Sequence, residues 1–396
     1  IVHRHAHDIR SAVARLLADR GLPCEAWLIG DPARSSGDLA HQVRLHGTAR
    51  PARAAELVSR LAADVLVIDG LFGTGLVRPL DGDFATLAAE LATARPRRTV
   101  IAVDIPSGVH AGTGQILGQA VRADVTVTFQ VPKLGHYLHP GRALRGELVV
   151  ADIGLAPRLF ADARATLAGD ELIEAALPPR ATTAHKGTYG HLLVVAGQPD
   201  RPGSALLAAR AALRTGAGLV TVASDRETVA RLAPALEELM GLDVGHPRID
   251  AARVLAALGR KTALLVGPSL DSGDDVELRA LMYAAPLPLV VDAGALHTVA
   301  ADPSAIRART APTFLTPHPG EAAVLLGASV AQLEHERPAA ARALAKDLGA
   351  FVILKGASTV VAAPDGRLVL VPTGNPGMAT AGTGDVLAGV LGGLLA

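Results

Sequence analysis

One carboxylate near the end of the chain is surrounded by glycines. The run ATAGTGDVLAG, residues 379–389, places Asp385 where a glycine-rich turn opens an apolar helix. Such a turn leaves backbone N–H groups accessible, and the helix N-terminus adds partial positive charge, so together they form an anion site that suits phosphate. An acid at its mouth can accept a proton from a substrate hydroxyl while the amides stabilise developing charge. Taken alone, the motif is equally consistent with an ordinary helix cap at Asp385.

Two further motifs of the second half carry groups suited to a nucleotide or a polar substrate. In TPHPGE, two prolines hold His318 in a rigid turn, and Glu321 falls in the first turn of a helix, where it either complements the helix dipole or serves a site. LKGAST predicts a strand, a tight turn and a second strand, which present Lys355, Ser358 and Thr359 for phosphate or ribose contacts.

The first half repeats one plan twice. DVLVIDGLFGTGLVRPL, residues 64–80, and TVIAVDIPSGVHAGTG, residues 99–114, each run from a buried strand into an acid and a flexible loop. The acids are Asp69 and Asp104, and Ser107 follows the second. Because carboxyl ends of parallel strands meet at one edge of a sheet, we expect both acids at a ligand-binding edge. Two ordinary turns after strands are the structural alternative.

Strands and helices that would position these groups alternate along the whole chain, which predicts α/β architecture with parallel sheets. The boundary is expected near residues 157–170, where the sequence shows no clear strand. Helices are expected over Ser11–Asp19, Ala205–Arg214 and Ala339–Leu348. Strands are expected over Ala26–Ile29, Val65–Ile68, Val100–Val103, Val125–Phe129, Leu148–Val150, Leu192–Ala196, Leu219–Ala223, Ala263–Val266, Leu289–Val291, Phe351–Leu354, Val360–Ala363 and Leu368–Val371, and the strand-like run TFLT, residues 313–316, leads into TPHPGE.

Composition narrows the class of protein. The 396 residues are 49% hydrophobic and 19% charged, with 38 basic and 38 acidic side chains, so large cores are possible and no basic surface for nucleic acid is indicated. No apolar run reaches the length of a membrane helix. The single cysteine, Cys24, fits a reducing compartment, so we expect a cytoplasmic location and a small-molecule partner.

The second half resembles the ribokinase-like NAD(P)H-hydrate dehydratases through HKGTYG, GAGLVTVA, TPHPGE, LKGAST and NPGMATAGTGD, in that order over about residues 170–396. The resemblance implies a lyase that restores NADH or NADPH from their hydrates, consuming ADP in most bacterial members or ATP in eukaryotic ones, with Mg²⁺. It assigns Lys355, Gly356, Ala357, Ser358, Thr359 and Gly384 to the adenine nucleotide. His318 and Asp385 would face the hydrate, as would Ser204, which stands where the family usually has a Gly-Ala step, and Asp385 would be catalytic.

The first half resembles the NAD(P)H-hydrate epimerases, which are isomerases often fused to the dehydratase, through GLFGTGLVRPL, VDIPSG, VTVTFQVPKLGHYLHPGR and VVADIGL. The resemblance implies a Rossmann-like three-layer sandwich over residues 1–157, followed by the ribokinase-like domain over 170–396. It assigns Asp69 and Ser107 to a potassium ion. Asp8, Asp104 and a loop would contact the hydrate, the loop comprising Gly73, Thr74, Gly75, Leu76, Val77, Arg78 and Pro79.

The resemblance breaks off at three places. The family's Asn-Asn-Gly-Gly-Asp loop is matched by Arg4-His5-Ala6-His7-Asp8, which lacks the glycines that admit a phosphate and the asparagine that would ligate potassium, so impaired epimerisation is expected. The chain begins with Ile1, and it stops at Ala396, where family members continue for several dozen residues. We therefore expect segments to be missing at both ends.

Two other functions stay open on sequence grounds. A small-molecule kinase of the hydroxymethylpyrimidine or sugar type would use the same GTGD run for phosphoryl transfer. A non-catalytic nucleotide-binding protein would explain the altered first loop. TPHPGE and the fused first half favour the repair enzyme, for which we expect NAD(P)H hydrate as partner, neither nucleic acid nor membrane, and a homo-oligomer.

Overall fold

The computed structural model describes residues 2–3, 9–29, 50–61, 64–93, 98–177, 179–245, 249–271 and 275–396. Within them the chain divides into two compact units, Ile1–Asp162 and Ala163–Ala396. The predicted α/β class is confirmed in both, because helices and parallel strands alternate in each. The domain limits 1–157 and 170–396 stay predictions.

The first unit contains two parallel sheets in its described part, with strand orders β1-β2-β3 and β4-β5-β6-β7. Its strands are β1 Val2–His3, β2 Trp27–Ile29, β3 Arg50–Ala52, β4 Val65–Asp69, β5 Arg98–Val103, β6 Val125–Phe129 and β7 Glu147–Ala151. Its helices are α1 Ile9–Asp19, α2 Ala54–Arg60, α3 Gly82–Ala92 and α4 Gly141–Leu144. Apolar side chains of α3 pack on those of β4 and β5 to form the core.

The second unit is built on a sheet with the strand order β11-β10-β9-β12-β13-β14-β15-β16-β17-β8. From β11 to β15 neighbouring strands are parallel, whereas β16 and β17 form antiparallel hairpins. The strands are β8 Ala165–Leu167, β9 His191–Val195, β10 Leu219–Ser224, β11 Met240–Asp243, β12 Ala263–Val266, β13 Leu289–Val291, β14 Thr313–Leu315, β15 Phe351–Leu354, β16 Thr359–Ala362 and β17 Leu368–Val371.

Helices cover this sheet and connect its parallel strands, as right-handed crossovers require. They are α5 Asp170–Ala176, α6 Gly203–Thr215, α7 Arg226–Leu232, α8 Ala251–Ala256, α9 Val276–Ala284, α10 Gly294–Ala301, α11 Ser304–Arg307, α12 Pro319–Leu326, α13 Val330–His335, α14 Arg337–Leu348 and α15 Thr383–Leu395. Fully buried leucines and valines of β9, β10 and β12 form the core beneath α6 and α15.

Two strands of the second unit were not expected from the sequence. The region between the halves was interpreted as lacking a clear strand, but β8 lies there and pairs with β17 over three residues. The other is β11, which pairs with β10 at the opposite edge of the sheet. Strands of three or four residues at an edge are too short to display a hydrophobic period, and only their pairing identifies them.

The glycines of α15 bring this helix unusually close to α6. A Cβ atom on Gly389 would overlap the carbonyl oxygen of Ala208, and one on Gly393 would lie 2.8 Å from that of Ala212. Small residues on both helices therefore allow the backbones to touch. This contact fixes the first turn of α15, which carries Asp385, against the first turn of α6, which carries Ser204.

Candidate functional site

Asp385 lies in the first turn of α15, where the sequence placed it. The preceding Gly382 has a φ of +85°, and a Cβ there would press on Leu207, so a glycine is needed for the turn into the helix. Asp385 is partly buried. Burial raises the pKa of its carboxyl, and the charge of Asp292 raises it further, while a hydrogen bond from Ser204 and the charge of Lys355 act in the opposite direction.

Asp292 and Lys355 form a buried ion pair beside this helix. Asp292 directly follows β13 and is 1% exposed. Its Oδ1 atom lies 3.0 Å from the Lys355 Nζ and accepts a hydrogen bond of 2.6 Å from the Thr316 hydroxyl. A Cβ on Gly384 would lie 3.5 Å from the same Nζ atom and 3.9 Å from Asp292 Oδ2, so the start of α15 faces this pair.

Glu321 caps the helix α12 and also lies near Lys355. Its Oε2 atom accepts the His318 N–H at 2.7 Å, which closes a capping box at the start of α12, and the same atom lies 3.8 Å from Lys355 Nζ. Burial raises the pKa of Glu321, against the effect of Lys355. The His318 Nδ1 atom accepts the N–H groups of Gly320 and Glu321 at 2.9 and 3.3 Å. The His318 side chain is 57% exposed, and its Nε2 atom lies 3.5 Å from Oε1 of Glu321.

The loop assigned to the nucleotide connects β15 to β16. Gly356 and Ala357 are exposed, and Ser358 is buried. The Thr359 hydroxyl donates to the Gly356 carbonyl at 3.1 Å, so it bonds within the loop. The structure thus brings Lys355 and Gly384 together with Asp385 and Ser204 at the carboxyl edge of the parallel strands, where α/β sheets bind ligands.

In the first unit, Asp69 joins two of the loops singled out from the sequence. It is fully buried at the end of β4. Its Oδ1 accepts the Ser107 hydroxyl at 2.7 Å and the Leu71 N–H at 3.2 Å, and its Oδ2 accepts the Ser107 N–H at 2.8 Å. A carboxylate offers about four acceptor positions, and three of those of Asp69 are used within the described part of the chain. These hard oxygen atoms fit a potassium ion, provided that further oxygen ligands complete its shell.

Asp104 is held by the segment that follows the neighbouring strand β6. Its φ of +72° is unusual for a residue with a side chain. Its Oδ1 atom accepts hydrogen bonds from Lys133 Nζ at 2.6 Å and from the Thr128 hydroxyl at 3.0 Å. The buried His136 accepts the Lys133 N–H at Nδ1, so its Nε2 carries the hydrogen and donates it to the Asp104 carbonyl at 2.9 Å. Burial lowers the pKa of His136 to about 4, which keeps the imidazole neutral.

The loop from Gly73 to Pro79 is exposed at most of its positions, with Val77 78% exposed. Leu76 is the exception, because its side chain packs into the core of the first unit, which leaves its backbone as the part that could contact a ligand. Arg4-His5-Ala6-His7-Asp8, including the predicted substrate contact Asp8, lies outside the described residues.

Sequence reasoning missed four side chains that hold the predicted ones. Asp292 stood in VVDAGAL at the end of a predicted strand, which was an available signal. Lys133 and His136 stand in PKLGH, within one of the runs that carry the resemblance to the epimerases. Ser269, whose hydroxyl lies 2.6 Å from that of Ser204, carried no signal, because that contact joins residues 65 positions apart.

The described residues lack two further features. They contain no group of three or more His, Cys, Asp or Glu side chains arranged to hold a metal ion. Nor does any helix among them have the length and apolarity needed to cross a bilayer.

Comparison with known proteins covers both units. A family model described as NAD(P)H-hydrate dehydratase matches residues 192–396, and one described as the YjeF-related protein N-terminus matches residues 11–135. The ADP/ATP-dependent NAD(P)H-hydrate dehydratase from Bacillus subtilis, co-crystallised with ATP and Mg²⁺, is 35% identical with a TM-score of 0.50, over 57% of this chain and 78% of that one. A ribokinase-like superfamily protein from Enterococcus faecalis, 24% identical with a TM-score of 0.51, shares the fold over 58% of this chain and 80% of its own.

Curated relatives match nearly the whole chain. The bifunctional NAD(P)H-hydrate repair enzyme of Moorella thermoacetica is 38% identical over 96% of this chain and 75% of its own length. The enzyme of the same description from Thermofilum pendens is 40% identical over 96% of this chain and 74% of its own, and that from Escherichia coli is 35% identical over 96% and 69%. With both units matched at this level, the chain belongs to the family of bifunctional NAD(P)H-hydrate repair enzymes.

Proposed function

We propose that the second unit dehydrates the S epimer of NADH or NADPH hydrate at the expense of ADP or ATP, and that the first unit interconverts the R and S epimers at a rate impaired by the altered loop sequence of residues 4–8. The observation that carries the first activity is the partly buried Asp385 carboxylate at the start of α15, beside Lys355 and Asp292. The family membership and the dehydratase of B. subtilis support the choice of substrate and nucleotide.

Asp385 is the base of the proposed dehydration. Hydroxide leaves poorly from the hydrated nicotinamide ring, so the nucleotide transfers its terminal phosphoryl group to the hydroxyl and departs one phosphate shorter. The ring-nitrogen lone pair then drives cleavage of the C–O bond, phosphate leaves, and loss of a proton from the adjacent carbon restores the ring double bond. Asp385 accepts the hydroxyl proton at its carboxylate, and its raised pKa brings it closer to the working pH, which suits a general base. Ser204 orients that carboxylate by its hydrogen bond. The N–H groups at the start of α15 stabilise negative charge in front of it.

Lys355 supplies positive charge where the phosphates would lie. Asp292 and Glu321 anchor its ammonium group from one side, which fixes its position before a ligand binds. Gly356, Ala357, Ser358 and Thr359 would contact the nucleotide through the loop, and Gly384 would allow it a close approach. Mg²⁺ commonly binds one or two carboxylates together with substrate phosphates, so the lack of a preformed metal cluster among the described side chains suits an ion that enters with the nucleotide.

Asp104 is the residue on which the proposed epimerisation rests. Lys133, Thr128 and His136 hold it in a strained conformation at the edge of the sheet, as is common for residues that act on a ligand. The exposed part of the loop from Gly73 to Pro79, together with Asp8, would bind the hydrate. Asp69 and Ser107 would hold potassium. The potassium ion, the homo-oligomer and the cytoplasmic location stay predictions.

The test is recovery of reduced-nicotinamide absorbance from a mixture of R and S NADH hydrate, with Mg²⁺, K⁺ and either ADP or ATP. Complete recovery is expected if both units act, whereas recovery that stops when the S epimer is consumed would leave dehydration alone. Asp385→Asn should abolish recovery, and Asp104→Asn should change complete recovery into partial recovery. Asp365→Asn, in an exposed turn, is the matched control. Absence of recovery with both nucleotides would contradict the proposal and favour a kinase or a non-catalytic protein.

A further inference from the structure

Arg337 lies beneath the loop assigned to the nucleotide, and neither the sequence motifs nor the comparisons give it a role. It is the first residue of α14 and is 5% exposed. One of its terminal nitrogens donates to the carbonyl groups of Leu354, Lys355 and Ser358 at 3.1, 3.0 and 3.2 Å. Three carbonyls of one five-residue stretch therefore converge on a single guanidinium nitrogen.

The rest of this guanidinium is used differently. Its other terminal nitrogen binds Glu334 at 2.7 Å, and its Nε atom is buried without a hydrogen-bond partner in the described part of the chain. An unpaired buried donor destabilises a protein, so an arginine whose only contribution was to stability would be poorly suited to this place. The loss of stability caused by the unpaired Nε atom is consistent with a functional need for the loop conformation that the three hydrogen bonds to carbonyls impose.

The carbonyl bonds determine which way the amides of the loop point. In a trans peptide the N–H points opposite to the C=O, so each carbonyl directed at Arg337 sends the next N–H to the other side. The Lys355 N–H accordingly donates to Pro317 at 2.9 Å, in the TPHPGE turn. The Gly356 N–H points the same general way and, among the described residues, finds no protein acceptor, on an exposed glycine.

Gly356 also shows how closely the arginine fits. Its φ is +154°, and a Cβ atom there would lie 2.8 Å from a terminal nitrogen of Arg337. The loop therefore rests directly on the guanidinium through the face that lacks a side chain. The opposite face carries the Gly356 N–H, for which the described residues supply no acceptor, and it is the face that an anionic ligand can reach.

We propose that Arg337 is a positioning residue for the nucleotide phosphates: it binds the carbonyls of the loop from below and so directs Lys355 and the Gly356 N–H at a nucleoside diphosphate or triphosphate. This rests on the proposed assignment of residues 355–359 to the nucleotide. Arg337 itself does not contact the ligand.

The chain offers a matched control on the same helix. Arg342 also binds backbone carbonyls, those of Gly366 at 3.0 Å and Arg164 at 3.3 Å, but these lie in the turn between β16 and β17 and just before β8, not at the nucleotide loop. The variants are Arg337→Met, Arg337→Lys and Arg342→Met in the full chain. The measurements are the dissociation constants of ADP and ATP by calorimetry, the KM and kcat of the dehydration, and thermal melting.

Arg337→Met is expected to weaken nucleotide binding about tenfold or more and to raise KM for the nucleotide more than it lowers kcat, because hydrogen bonds from a charged group are being lost. Arg337→Lys should lie between this variant and the wild type, since an ammonium cannot serve three carbonyls in the same way. Arg342→Met should bind nucleotide as the wild type does. Amide exchange at residues 356–359 should accelerate in Arg337→Met alone.

Wild-type nucleotide affinity in a folded Arg337→Met protein would overturn the inference, as would an equal loss in Arg342→Met, which would mark a general loosening of the helix. If Arg337→Met does not fold, unchanged affinity in Arg337→Lys has the same meaning. A wild-type protein that binds neither ADP nor ATP would refute the proposed function itself, which separates the two failures.

Discussion

The Lys355 ammonium lies 3.0 Å from Oδ1 of Asp292, and the Asp292 carboxylate is almost completely enclosed, with 2% of its side chain exposed. Removing one member of a buried pair leaves the other charge without compensation, which commonly costs about 3–5 kcal/mol. We therefore expect Lys355→Met to lower the free energy of unfolding by about that amount. The double variant Lys355→Met/Asp292→Asn should recover part of the loss, as measured by chemical denaturation in a double-mutant cycle. Equal stability of the single and double variants would contradict a coupled pair.

Asp385→Asn should separate activity from stability. Loss of the base should reduce dehydration by about 10²–10⁴-fold. Because the pKa of Asp385 is raised in the fold, the charged form is disfavoured there, and this destabilising effect appears as pH rises through the folded pKa. Thermal melting at neutral pH should therefore show equal or higher stability for Asp385→Asn. A variant that loses both activity and stability would indicate a structural role instead.

The pH dependence of dehydration should show that Asp292 raises the pKa of Asp385. Activity that needs the carboxylate is lost as pH falls through its pKa, and Asp292 is one of the causes that raise this pKa. In Asp292→Asn the acid limb of kcat/KM against pH should move to lower pH, whatever happens to the maximum rate. The profile of Asp365→Asn should coincide with that of the wild type. An acid limb that does not move in Asp292→Asn would exclude electrostatic coupling between the two carboxyls.

His136 should make the first unit sensitive to acid. Its pKa falls from 6.5 to about 4 on folding, so the unfolded chain binds more protons between these values. With respect to this group, the free energy of unfolding therefore keeps its full value above pH 6.5 and decreases by up to about 3 kcal/mol as pH falls from 6.5 towards 4. Trp27, the single tryptophan of the chain, reports unfolding of this unit by fluorescence. His136→Gln should be less stable at pH 7 but should show a flatter dependence on pH, and an unchanged slope would contradict this origin.

Gly389 should tolerate no side chain. An alanine Cβ would meet the backbone of Ala208 on α6, which cannot move aside as a flexible side chain could. Overpacking of this kind costs about 1–3 kcal/mol, so Gly389→Ala should lower the melting temperature and, by displacing α15, dehydration as well. Gly259→Ala, where nothing lies within 4 Å of the added atom, is the control for loss of a glycine. Wild-type melting of Gly389→Ala would mean that the two helices are farther apart.

Most of the regular structure was predictable because its signals are local. Strands such as Ala263–Val266, Leu289–Val291 and Phe351–Leu354 were predicted with the bounds observed, since strands buried on both faces form continuous apolar runs between turns. Strands β8 and β11 were missed because short edge strands have no period of their own. The sequence shows where the glycines are but not what each of them does. Gly389 and Gly393 let α15 contact α6, and Gly382 forms the turn before Asp385.

The sequence by itself determined the family and the α/β class, because both rest on motifs and on an alternation of strands and helices that are local along the chain. The same motifs predict Asp385, His318 and Lys355 as the residues that carry the chemistry. Only the tertiary structure decided what holds those groups. The Lys355–Asp292 pair joins residues 63 positions apart, and Arg337 reaches Ser358 across 21 positions. Side chains that act on a site through another residue leave no local pattern, because the contact exists only after parallel strands and their crossover helices have brought distant segments to one edge of the sheet.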